Sequence, residues 1–245
     1  MSRSSARFAS LVVLGLTIAF VSPACAPALP GVTEETIVGG SIETGYQSVY
    51  YIINYRGGAC TAALISPRVV LTARHCVVDS TDAPAAARYM RVYAGWSERN
   101  FYAEYRVSEV HIIPGSTGMI GDGNAMDLGL LVLTSPAAEA PIEMARDVAA
   151  GGLVDTDAIA IGFGQTPAGG SGTKYRGIAH VTGLEGGLIF VDPSVCSGDS
   201  GGPLIGADGR IYGVASFVYS PDGTSEPRCG TAPGAYNEIF RHIDW

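Results

Sequence analysis

A chain of 245 residues, 47% of them hydrophobic, can bury a sizeable core as one compact unit, which excludes disorder over its length. A net charge of −8 and a single lysine, Lys174, argue against a nucleic-acid binder, which needs a basic face to neutralise phosphates. The acidity speaks to solubility.

Arg3 and Arg7 precede an apolar run from Leu11 to Val21, followed by small residues and prolines. This pattern predicts an export signal over 1–24. Eleven apolar residues fall short of the ~20 needed for a membrane-spanning helix, so the signal reading is preferred. Export permits disulfides, and five cysteines leave one without an internal partner. Cys25 is the outlier. It follows the apolar run in Ser22-Pro23-Ala24-Cys25, where two readings stand: a lipid-attachment site in a cell-envelope lipoprotein, or part of a loose leader in a secreted protein. Ser22 departs from the large aliphatic residue usual three positions before a lipidated cysteine. Residues 25–36 carry prolines and no alternation, as a leader does.

Ordered structure is expected from Ile37. Short runs rich in Val, Ile and Tyr then follow one another, divided by Gly, Pro, Asp and Ser: Val49 to Asn54, Ala62 to Ile65, Val69 to Thr72, Leu128 to Leu133, Ala158 to Ile161 and Ile211 to Phe217. Many short strands at close spacing predict an all-β sandwich or barrel. At the end, Tyr236, Ile239, Phe240 and Ile243 recur at helical spacing and predict a short amphipathic helix.

The string Cys196-Ser197-Gly198-Asp199-Ser200-Gly201-Gly202-Pro203 carries the strongest chemical signal. A serine hydroxyl becomes a nucleophile when a base takes its proton and backbone N–H groups stabilise the oxyanion that follows. A glycine two residues before Ser200 lets the N–H groups of Gly198 and Ser200 converge on one spot. Of four histidines, His75 has the telling context, after an apolar strand in Thr72-Ala73-Arg74-His75-Cys76; a bridge from Cys76 to Cys60 would pin its loop. His111, His180 and His242 read as structural or exposed. The base needs a carboxylate to fix its tautomer, and Asp127 stands at the mouth of the buried run Leu128 to Leu133, where a charge must be hydrogen-bonded. Asp122 and Asp127 as plain turn residues are the bland alternative.

From Ile37 to Trp245 these pieces resemble the chymotrypsin-like (trypsin/elastase) serine proteases in kind and order. The matching segments are Ile37-Val38-Gly39-Gly40, the histidine loop at 72–76, Asp127-Leu128-Gly129-Leu130, Gly162-Phe163-Gly164, the Ser200 string, Ser216-Phe217-Val218 and Pro233-Gly234-Ala235-Tyr236. The resemblance implies a peptidase domain over 37–245: two antiparallel six-stranded β-barrels, about 37–140 and 141–235, packed around a catalytic cleft. It implies His75, Asp127 and Ser200 as a catalytic triad, Ser216 supporting Asp127, and disulfides Cys60–Cys76 and Cys196–Cys229. Protein or peptide substrates follow, cleaved by a monomer with no cofactor and no metal.

The resemblance also implies activation by cleavage before Ile37, whose new ammonium would pair with Asp199. Thr36 replaces the basic residue that trypsin-activated relatives carry there, so either another activating protease or self-processing is expected. The specificity pocket would have Ser194 at its base and Val195, Phe217, Val218 and Gly234 in its walls. With no carboxylate at the base, small or medium aliphatic residues should be preferred before the scissile bond, as in elastases. Aromatic residues come second, because Gly234 leaves one wall open; Asp192 is two positions from the base. Arg74 replaces the family's usual alanine, and the residues themselves supply no reason. The rival function is a non-catalytic protease homologue that binds partners. Membrane association would follow only from lipidation of Cys25.

Overall fold

The computed structural model describes residues 37, 40–115, 126–166, 169–223 and 226–245. The export signal, Cys25, the leader and Asp122 lie outside them.

The first half folds into β2 (Val49–Asn54), β3 (Gly58–Ser66), β4 (Val69–Thr72), β5 (Met90–Gly95), β6 (Phe101–Ile112) and β7 (Gly129–Leu133). These close into a barrel in the order β2-β3-β4-β7-β6-β5, with β5 returning to β2. Closure removes unpaired sheet edges. Along β7 burial alternates, and Leu131 and Leu133 join Tyr50, Leu64, Val70, Met90 and Val92 in the interior.

The second half contributes β8 (Asp157–Gly162), β9 (Tyr175–Glu185), β10 (Leu188–Val191), β11 (Pro203–Ile205), β12 (Ile211–Val218) and β13 (Gly234–Glu238). Pairing runs β9-β10-β13-β12-β11-β8, and β8 pairs again with β9, so this sheet also closes as six strands. The two-residue β1 (Ser41–Ile42) adds to β9 from outside. The protein is therefore all-β, with two six-stranded antiparallel barrels. Ala158, Ala160 and Ala179 share the second core with Tyr236, which is almost wholly buried there.

The expected C-terminal helix is reduced to one 3-10 turn, Phe240–His242. Tyr236 belongs to β13, which pairs with β10 on one side and β12 on the other. Two-sided strand pairing satisfies that backbone and overrides the helical spacing of its apolar residues. The lone Lys174 is buried. Its Nζ donates to the carbonyls of Tyr46 (2.6 Å) and Val49 (3.3 Å), and burial pulls its pKa down to about 8.

Candidate active site

Strands β4 and β7 pair antiparallel, with Thr72 opposite Gly129. Residues just after β4 and just before β7 therefore emerge at the same end of the barrel, which brings His75 and Asp127 together. His75 sits in a 3-10 turn, Arg74–Cys76, tied by the Cys60–Cys76 disulfide and by the Asn54 amide, which donates to the carbonyls of Cys76 (3.2 Å) and Val78 (2.9 Å).

The Asp127 carboxylate accepts from the His75 backbone N–H (2.9 Å) and lies 2.8 Å from His75 Nδ1. The Ser216 hydroxyl donates to it at 2.5 Å. Asn237, on β13, accepts the Asp127 backbone N–H at 3.1 Å. Burial by itself would raise the Asp127 pKa, but the His75 ring and the Ser216 hydroxyl outweigh it and hold the carboxyl below its ordinary value. A His75 ring donating from Nδ1 to Asp127 keeps Nε2 free to accept a proton.

Ser200 comes from the second barrel, on the loop between β10 and β11, which the Cys196–Cys229 disulfide fastens. Two threonines of the first barrel fasten it further. The Thr61 N–H donates to the Ser200 carbonyl (2.9 Å), the Thr61 hydroxyl to the Gly198 carbonyl (2.9 Å), and the Thr72 hydroxyl to the Thr61 carbonyl (2.8 Å). Gly198 has φ +97°, and a Cβ there would stand 2.9 Å from Gly164 Cα, so glycine is required on both counts. Ser200 and His75 face one cleft of about 240 Å³, lined also by Val195, Ser197, Ser216, Phe217 and Val218.

Asp199 points the other way, into the protein. Its carboxylate accepts from the N–H groups of Gly164 (2.8 Å) and Cys196 (2.9 Å). It lies so close against Gly162-Phe163-Gly164 that a Cβ on Gly162 would meet its Oδ1 at 2.1 Å. No basic side chain pairs with it among the described residues, and burial pushes its pKa up to about 7. Ile37 is buried in the second-barrel core with φ +44°.

The pocket differs from the expectation in one respect. Ser194 is fully buried and donates to the Asp192 carbonyl (3.1 Å), and a Cβ on Gly234 would meet Val195 Cγ2 at 2.6 Å and Val191 Cγ2 at 3.2 Å. Neither Ser194 nor Gly234 is among the residues lining the cleft, and the Val195 side chain stands against Gly234, in the space that the glycine was expected to leave open. The Asp192 carboxylate turns to the His180 backbone N–H (3.0 Å). His111 and His180 are surface residues beside Glu109 and Asp157. Arg74 acquires a role: buried to 4% exposure, it makes a two-pronged pair with Asp82 (2.7 and 2.6 Å), which is itself at φ +64°.

Thr61, Thr72 and Asn237 were not recognisable as site residues from the sequence. The one available signal was their polarity inside strands that are otherwise apolar.

A carboxylate in contact with a histidine, with a serine facing the same cleft, makes a candidate site of the nucleophilic-serine type. The family model described as Trypsin matches residues 37–245, and the chain belongs to that family of chymotrypsin-like serine proteases. It is 28% identical over 210 residues to a trypsin of Saccharopolyspora erythraea, covering 76% of this chain and 84% of that one. It is 29% identical over 228 residues to the serine protease SP24D of Anopheles gambiae, covering 85% and 79%. Among solved structures, mouse neuropsin shares the fold with a TM-score of 0.66 at 22% identity, covering 84% of this chain and 96% of that one.

Proposed function

We propose that the chain is a serine endopeptidase. His75 takes the Ser200 proton as the hydroxyl attacks the peptide carbonyl, and Asp127 stabilises the resulting imidazolium. The N–H groups of Gly198 and Ser200 bind the oxyanion, and His75 then returns its proton to the leaving amine. Water repeats the sequence on the acyl-enzyme. The reading is carried by the His75–Asp127 contact of 2.8 Å, with Ser200 facing the same cleft. Labelling of Ser200 by a fluorophosphonate probe, lost in Ser200→Ala, is the expected result. A protein processed to Ile37 that fails to label would sink the proposal in favour of a non-catalytic homologue.

Activation by cleavage before Ile37 is part of this proposal. Asp199 is a buried carboxyl with no cation beside it among the described residues, and an ammonium at Ile37 would supply one. A positive φ is costly for a β-branched residue, and cutting the Thr36–Ile37 bond removes that constraint. For self-processing, a Ser200→Ala chain should remain uncut in a purified preparation; trimming of that variant would exclude it.

The walls formed by Val195 and Val218, with no acidic side chain among the described lining residues, favour small or medium aliphatic residues before the scissile bond. Val195 over Gly234 weakens the case for aromatic residues. A peptide-library profile checks this, and cleavage dominated by Arg or Lys would overturn it. The N-terminal pattern supports export, either as a free protein or as a lipoprotein through Cys25. Mass spectrometry of the processed N-terminus distinguishes the two.

A further inference from the structure

A second cavity, of about 500 Å³, opens beside the histidine loop and is lined by Arg56, Asp79, Ser80, Ala86, Arg88 and Tyr89. The guanidinium carbons of Arg56 and Arg88 each lie 4.6 Å from the centre of the Tyr89 ring. Both side chains also donate to the Tyr89 hydroxyl, at 3.1 and 3.3 Å. One aromatic ring thus holds two like charges together. Neither arginine pairs with a carboxylate among the described residues, whereas nearby Arg91 is matched to Glu104 at 3.1 Å. Asp79, the acidic group in the lining, turns its Oδ1 to the N–H (2.8 Å) and hydroxyl (2.6 Å) of Thr81. A pair of exposed, unmatched guanidiniums on a protein of net charge −8 is a local reversal of the field.

The position of this cavity relative to the reacting bond follows from the chain. Thr61 bonds the Ser200 carbonyl, and from it β3 runs back to Gly58 and the turn bearing Arg56. At ~3.3 Å per residue, that is a path of roughly 15 Å from the Ser200 loop, past the Cys60–Cys76 disulfide, and none of the residues along it lines the Val195 cleft. Under the proposed function the acyl half of a substrate takes the Val195 side, which leaves the other half to extend toward Arg56. The Arg74–Asp82 pair holds the segment that carries Asp79 and Ser80, so the cavity wall is braced from behind.

We propose that Arg56 and Arg88, stacked on Tyr89, form a subsite for acidic side chains on the leaving-group half of a peptide substrate, about three to five residues beyond the scissile bond. The subsite rests on the endopeptidase reading, and the two can fail separately. The kinetic test uses paired peptides that share one cleavable bond and differ only in carrying three Glu or three Gln at those positions.

The expected result is a kcat/KM about fivefold in favour of the Glu peptide at low salt. That ratio should fall toward one in about 1 M salt, where charges are screened within ~3 Å. It should also approach one in the Arg56→Gln/Arg88→Gln double variant and invert in Arg56→Glu/Arg88→Glu. A ratio of one in the wild-type protein, or a preference that survives the double variant, overturns the subsite. Anisotropy of the same labelled peptides on the full-length Ser200→Ala chain gives a readout that needs no turnover. Preferential Glu-peptide binding, abolished in the arginine variants, supports the subsite even if no peptide is cleaved. Equal binding of both peptides, or displacement by a heparin oligosaccharide that binds far more tightly than the Glu peptide, overturns it.

Discussion

Two aspartates near the junction of the barrels meet opposite fates. Asp127 is surrounded by donors from both barrels, His75 from the first and Ser216 from the second, and its carboxyl is held below its ordinary value. Asp199, only 2% exposed, receives two backbone N–H groups and, among the described residues, no cation, and burial raises it to about 7. Burial alone does not decide the charge of a carboxyl; the number and kind of donors do. Asp127 is a completed arrangement. Under the proposed activation, Asp199 is an incomplete one that a freed Ile37 would finish.

The sharpest way to break this comparison is Asp127→Asn, which keeps the shape but removes the charge that, under the proposed mechanism, stabilises the imidazolium. A loss on the order of 10⁴ in kcat/KM is expected, measured on a small aliphatic peptide. A modest loss would mean that Asp127 does not serve His75.

Asp199 should speak through pH. In the uncleaved chain its folded pKa of about 7 stands above the ordinary 3.8, so the stability tied to the neutral acid is present below about pH 4 and is lost as pH rises through 7. The loss is at most about 4 kcal/mol. Denaturant midpoints of uncleaved Ser200→Ala protein at pH 5 and 8 should therefore differ, and the added Asp199→Asn should flatten that difference. An unchanged slope would show that another group sets it.

Ser216→Ala withdraws one charge-assisted donor from Asp127 and should lower kcat/KM roughly tenfold. It should also let the Asp127 carboxyl rise, moving the acid limb of the pH profile upward. The smallest expected effect belongs to Arg74→Ala. Its partner Asp82 is half exposed, so the lost pair costs about 1 kcal/mol in a thermal or denaturant melt. A much larger loss would show that the loop at Asp82 is integral to the barrel.

Much of this was legible along the chain. The runs at 49–54, 69–72, 158–161 and 211–217 lie within β2, β4, β8 and β12, because their apolar and β-branched residues suit a pleated, half-buried surface. The 12-residue β6 is less apparent, since only Val107 in it is buried and the half-buried Phe101, Ala103 and Tyr105 alternate with the exposed Tyr102, Glu104 and Arg106, so it lacks an apolar run. The segment from Tyr236 was misleading, because helical spacing and a fully buried strand both place apolar residues close together.

What the sequence by itself determined was local and chemical. A glycine two before Ser200, a histidine beside a cysteine and a carboxylate before an apolar run each carry their chemistry in residue type and short spacing. Only the tertiary structure decided what depends on residues distant in the chain. Strand pairing brought His75 to Asp127, Thr61 and Thr72 to the Ser200 loop, Asn237 to the Asp127 backbone, and Val195 over Gly234. It also matched Arg74 to Asp82 and stacked Arg56 and Arg88 on one ring. The physical reason is that hydrogen bonds, packing and charge pairing act over a few ångströms, and closure of the barrels sets which residues come that near.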